Sequence, residues 1–141
     1  MNNIKLILIG GAEDKTDKLE ILSNVAKSAD YKNIVLIPTA SAYPHEAEQN
    51  YSRAFEKLNV ENFKTLDIRY PEECDKPEYI KAVEQANLLF FSGGDQVKLV
   101  ETLRNSQLIN KIKDLYFSGK LIIAGTSAGA AAASENMLFN G

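Results

Sequence analysis

A doubly wound α/β domain, in which a mainly parallel sheet is sandwiched between helices in a three-layer α/β/α arrangement, is the fold class the sequence predicts. Two observations carry that expectation. Five short apolar runs, "IKLILIG" (4–10), "NIVLIPT" (33–39), "FKTLDI" (63–68), "NLLFFSG" (87–93) and "KLIIAGT" (120–126), alternate with segments of helical periodicity. Read as strands buried on both faces and separated by crossover helices, they specify a parallel sheet sandwiched between helix layers. A third observation points to the rim of the sheet: glycines gather at the ends of three runs, as Gly10-Gly11, Gly93-Gly94 and Gly125 with Gly129. Sheets of this kind bind ligands beyond the carboxyl ends of their strands.

The helical segments follow in order. From about Asp17 to Ala29, Leu19, Leu22, Val25 and Ala26 form one stripe, with Thr16 placed to cap the first turn. A second helix is expected from His45 to Leu58, after Pro44. In "KPEYIKAVEQA", Pro77 suits a first turn, and Tyr79, Ile80 and Val83 face inward. Two more helices are expected over 97–103 and 108–117, the last stopped by Gly119. No repeat, linker or low-complexity segment divides residues 1–141, apart from the small-residue run "GAAAAS", and a single domain is expected.

Composition narrows the function. The chain is 45% hydrophobic and 25% charged, with 16 basic against 19 acidic side chains, so it lacks the basic excess that holds a phosphate backbone. Nucleic acid is not expected as a partner. Cys74 is the sole cysteine, which rules out an intramolecular disulfide and fits a reducing cytoplasm. It also lacks neighbouring ligands at metal spacing, and no metal is expected. The apolar run from Ile4 to Ile9 is too short for a membrane span or a signal-peptide core, so no membrane association is expected.

The sharpest chemical signal is Gly125-Thr126-Ser127-Ala128-Gly129, a G-x-S-x-G pentapeptide with an apolar strand before it and a small-residue run after it. In that setting the serine sits at a tight strand-to-helix corner as a nucleophile, and Ala130 to Ala133 allow a helix to pack closely on the sheet. The bland alternative is a glycine-flanked turn whose serine caps a helix. An acyl-transfer serine needs N–H donors aimed at the oxyanion. The N–H of Ala128 is one candidate, and Gly94 or Asp95 of "FFSGGDQ" the second. Gln96 then opens a helix with its amide near the site, as a candidate substrate contact.

The sequence resembles cyanophycinase, a serine peptidase related to dipeptidase E within the class I glutamine amidotransferase-like fold. The resemblance rests on "IGGAEDK" (9–15), "IPTASAYP" (37–44), "LDIR" (66–69), "FFSGGDQVKLVETL" (90–103) and "AGTSAGAAAAS" (124–134). It implies hydrolysis of cyanophycin, a storage polymer with a poly-aspartate backbone carrying arginines, to β-Asp-Arg dipeptides. Ser127 would be the nucleophile, Ala128 with Gly94 or Asp95 the oxyanion donors, and Gln96 a contact to the β-aspartyl portion. No metal or organic cofactor is implied, and "GGAEDK" has no catalytic role beyond shaping a turn. Members of the family are often dimers, and an unfinished sheet invites pairing with a second copy or a complementing chain.

One departure matters as much as the match. Members of that family are roughly twice as long, as expected for a two-part α/β peptidase, and their acid, histidine and substrate-binding arginines follow the nucleophile. Here fourteen residues follow Ser127, with Glu135 among them and no histidine. The expectation is an N-terminal half of the peptidase, nearly inactive alone. His45 is the sole histidine, and beside Glu46 and Glu48 it reads as a solvated helix-start residue. Lys5, Lys15 and Lys98 show no spacing that singles one out for a Ser-Lys pair. The alternative is a catalytically silent binding or assembly module that keeps the pocket. A nucleotide-binding reading ranks last, because Gly10-Gly11 is not G-x-G-x-x-G and no lysine has phosphate-loop spacing.

Overall fold

The computed structural model describes residues 6–9, 18–126 and 136–138. Five strands, β1 (Leu6–Ile9), β2 (Asn33–Ile37), β3 (Asn62–Thr65), β4 (Leu88–Phe91) and β5 (Ile122–Thr126), form one sheet in the order β1-β5-β4-β2-β3. Every pairing is parallel, so all five carboxyl ends share one rim. The intervening helices are α1 (Lys18–Ser28), α2 (Pro44–Lys57), α3 (Pro77–Gln85), α4 (Gln96–Leu103) and α5 (Gln107–Phe117). The doubly wound α/β expectation therefore holds.

Alternation along the strands divides the core in two. Ile34, Leu36, Leu88, Phe90 and Ala124 face α1 and α2, where they meet Leu22, Val25, Ala26, Ala29 and Phe55. Val35, Ile37, Leu89, Phe91 and Ile123 face α3, α4 and α5. Because both faces are covered, all four residues of β4 are buried, and each such apolar side chain contributes about 1.5–3 kcal/mol. Phe90 anchors the first layer, with its ring 5.0 Å from Tyr51 and 6.0 Å from Phe55.

The helix boundaries follow local chemistry. Pro44 and Pro77 stand in the first turns of α2 and α3, where a missing N–H costs nothing. The Ser106 hydroxyl caps α5 by accepting from the Ile109 N–H at 3.0 Å. Gly119 closes α5 at φ 77°, a left-handed conformation that favours glycine.

Three details differ from the sequence reading. Leu19 is 45% exposed, because the 3.6-residue period directs Leu22, Val25, Ala26 and Ala29 to the sheet and leaves position 19 at the margin. The third strand ends at Thr65 and not near Ile68. Beyond Ile37 its neighbour β2 runs into Pro38, which has no N–H to extend a ladder, and the Ile68 N–H turns back to the Leu66 carbonyl at 2.9 Å. A short 3-10 turn, Pro71–Glu73, then precedes α3 and has no counterpart in the expected elements. Thr16, proposed to cap α1, lies outside the described residues.

Candidate functional site

The strand order decides which loops meet. β5 lies between β1 and β4, with Gly125 paired to Leu8 and Phe91, and Thr126 paired to Ile9. Thr126 is the last residue of β5, so the strand ends on the carboxyl rim between two flanking strands, one position before Ser127 in the sequence. Ser127, Ala128, Gly129 and Glu135 themselves lie outside the described residues, as do Gly10, Gly11, Lys5 and Lys15.

The neighbouring loop, from Ser92 to Asp95, is described in full. Gly94 has φ 145°, and a Cβ built on it would collide with the Ala40 carbonyl in the loop after β2. Only glycine satisfies both the backbone angle and that approach. The Asp95 N–H donates to the Ala40 carbonyl at 2.7 Å. Its carboxylate accepts from the N–H groups of Val97 at 3.0 Å and Lys98 at 3.2 Å, capping α4.

These bonds separate the two residues that sequence reasoning left as alternatives. Asp95 spends its N–H on Ala40 and its side chain on the helix, which makes it a structural cap. The Gly94 N–H meets no acceptor among the described residues, and Gly94 is exposed. Gln96 is exposed as the first residue of α4, at the position expected for a side chain facing the rim.

Two further features of this rim escaped the sequence reading. Ser92 is only 3% exposed, yet its hydroxyl has no hydrogen-bond partner among the described residues. The loops after β2, β3 and β4 are also stitched together. The Thr39 hydroxyl donates to the Ile68 carbonyl at 2.7 Å, while Asp95 reaches Ala40 from the other side. Neither bond has a signature in the local sequence, since each joins residues brought together by strand order.

Other reactive groups stand apart. His45 is exposed on the first turn of α2, with Nε2 3.3 Å from Gln49 Nε2, and its parent strand β2 is separated from β5 by β4. Cys74 is buried with Sγ 3.2 Å from the Thr102 carbonyl, and burial pushes its thiol up to about 11. It is therefore a protonated core residue at neutral pH and a poor nucleophile. Among the described residues no group of His, Cys, Asp and Glu could hold a metal ion, and no helix is long and apolar enough to cross a membrane.

The fold is a doubly wound α/β sheet whose strands share one carboxyl rim, the edge at which sheets of this class generally bind ligands. Residues 6–140 match peptidase family S51, and the chain belongs to that family. It is 36% identical over 138 residues to the cyanophycinase of Trichormus variabilis, covering 96% of this chain and 46% of that protein. For the cyanophycinase of Geminocystis herdmanii the identity is 33%, with 96% and 51% covered. The chain thus spans about half the length of the curated relatives it matches. Among solved structures, a peptidase from an acI-B1 Actinobacterium superposes with a TM-score of 0.72 at 30% identity, over 89% of this chain and 54% of that one. A protein described as a putative peptidase E from Listeria monocytogenes shares the fold, with a TM-score of 0.63 at 23% identity over 91% and 61% of the two chains.

Proposed function

We propose that this chain carries the nucleophile and oxyanion portion of a serine-type peptidase that acts on cyanophycin or a closely related β-linked peptide. The observation that carries the reading is the family match over residues 6–140, combined with the pairing of β5, which ends in the Gly125-Thr126 that opens the G-T-S-A-G sequence, with β4, which precedes the Gly94 loop. In this reading Ser127 attacks the scissile carbonyl and forms an acyl-enzyme. The N–H groups of Gly94 and Ala128 stabilise the developing oxyanion. Gln96 hydrogen-bonds the β-aspartyl portion of the substrate.

The serine needs a base to take its proton, and His45 is a poor one. It is the only histidine in the 141 residues, it is solvated, and it lies against Gln49. The reading therefore takes the base from a group other than His45. Residues 1–141 alone should show only the residual rate that oxyanion stabilisation and binding provide. The solvated His45 also favours a second reading, a module that binds the polymer without cleaving it.

The experiment is release of β-Asp-Arg dipeptides from cyanophycin by the natural protein and by Ser127→Ala. The expected loss is about a thousandfold or more. Equal release from the two proteins removes Ser127 from the mechanism. Saturable polymer binding with no release from the unsubstituted protein selects the silent module.

A further inference from the structure

A cavity of about 350 Å³ opens between α4, the loop that follows it, α5 and residues 136–137. That volume is in the range that holds a small organic ligand. Val100, Ile109 and Met137 form its apolar lining, and Ile109 and Met137 are buried members of the core that covers the Phe91 face of the sheet. The cavity begins some way from the rim. α4 starts at Gln96, and Val100 and Arg104 follow it by about 6 and 12 Å along the chain's helical path.

The rest of the lining is polar, with charge of one sign. Arg104, Asn105, Asn110 and Asn136 contribute to it, and none of these four side chains has a hydrogen bond or ion pair among the described residues. Lys113 adds a second cation but has an interaction of its own, so Arg104 is the charge on which the site turns. No carboxylate stands among the described lining residues, and Glu101 and Asp114, on the same two helices, are outside it. Asn105 has φ 60°, a left-handed turn after α4 that glycine adopts at less cost. Asparagine there keeps a carboxamide at the cavity.

Each part of this lining selects one feature of a ligand. A guanidinium pairs best with a carboxylate, to which it can donate two parallel N–H bonds. Carboxamides both donate and accept, which suits a neutral amide or hydroxyl. Val100, Ile109 and Met137 take an apolar group out of water. An ammonium would find no carboxylate among the described lining residues, so a zwitterion fits less well.

We propose that this cavity is a binding site for a small organic acid that combines one carboxylate, one neutral hydrogen-bonding group and one apolar group, as an N-acylated apolar amino acid does. Arg104 holds the carboxylate, the asparagines meet the neutral polar group, and Val100, Ile109 and Met137 receive the apolar part. The site does not depend on the peptidase reading, because none of these residues is a proposed nucleophile, oxyanion donor or substrate contact. A bound acid bridges α4, whose first residue is Gln96, and the segment that follows Ser127 in the sequence.

The test is a titration followed at the Met137 methyl resonance, which is assigned by its loss in Met137→Leu. N-acetyl-leucine should shift that resonance saturably, with a Kd of about 1 mM. N-acetyl-leucinamide, leucine and inorganic phosphate should each bind about tenfold more weakly. Arg104→Gln should weaken N-acetyl-leucine about tenfold and leave the amide unchanged. Asn110→Asp, which introduces a carboxylate at nearly constant side-chain size, should weaken N-acetyl-leucine by a similar factor, about tenfold. Arg104 and Asn110 are both exposed, so an unchanged thermal midpoint verifies that the two variants fold. Absence of a saturable shift overturns the site. So does equal affinity for the acid and its amide, or unchanged affinity in Arg104→Gln. Equal binding of phosphate or leucine overturns the assigned ligand class, reducing the cavity to a patch of positive charge in the first case and removing the selection against an ammonium in the second.

Discussion

The two ends of the same sheet use polar side chains in opposite ways. At the amino end, Asn33, Asn62 and Asn87 lace three adjacent strands together. The Asn33 N–H donates to Asn87 Oδ1 at 3.1 Å, Asn33 Nδ2 to the Gln85 carbonyl at 2.9 Å, and Asn62 Nδ2 to Asn33 Oδ1 at 2.8 Å. Those groups are spent on one another. At the carboxyl end, Gly94 adopts a conformation few residues tolerate, the Ser92 hydroxyl has no partner among the described residues, and Tyr43 and Tyr70 stand in solvent. One end is built for register and stability, and the other keeps strain and unsatisfied groups beside the proposed site.

Gly94→Ala should break that contrast hardest. A methyl group at this position meets the Ala40 carbonyl and is strained by the backbone angle, so either the loop moves or the Asp95 bond to Ala40 is lost. The expected cost is about 3 kcal/mol, read as a lower urea midpoint, and it should also abolish dipeptide release. A wild-type midpoint would mean that the two loops do not meet as described. Asn87→Ala tests the other end. It removes the acceptor of the Asn33 N–H and should cost about 1–2 kcal/mol, with Asn87→Asp recovering most of it because the oxygen remains. Because the amino end holds no proposed site group, dipeptide release measured well below the melting transition should be unaffected.

How far the sequence carried this picture depends on whether a feature is local. The five strands, their alternation with helices and the first-turn prolines at 44 and 77 follow from periodicity and backbone chemistry, and the structure has them within a few residues. Gly93-Gly94 was legible as a special turn, but the bond of the Asp95 N–H to the Ala40 carbonyl was not, because it joins residues more than fifty positions apart that strand order brings into neighbouring loops. The asparagine lacing was invisible for the same reason, since the three residues are spread over 33–87 and each looks like an ordinary strand-start residue. Leu19 was misread because a helix stripe has a margin that sequence alone does not locate.

Ser92→Ala sharpens the comparison with the smallest effect, and its sign is the informative part. Phe91 pairs with Gly125, so Ser92 lies one residue further on, level with Thr126, which directly precedes Ser127. A buried hydroxyl without a partner gives up its water on folding and receives nothing in return, a cost of about 1–3 kcal/mol. Alanine removes the hydroxyl while leaving nearly the same shape, so the variant should be more stable by about 1 kcal/mol and its urea midpoint should rise. Most substitutions at buried positions destabilise, so a rise would be hard to obtain for any other reason. A fall of similar size would mean that the hydroxyl is satisfied, by an ordered water or by a group beyond the described residues. The carboxyl end would then be as fully bonded as the amino end, and the contrast between them would reduce to Gly94 and the exposed tyrosines.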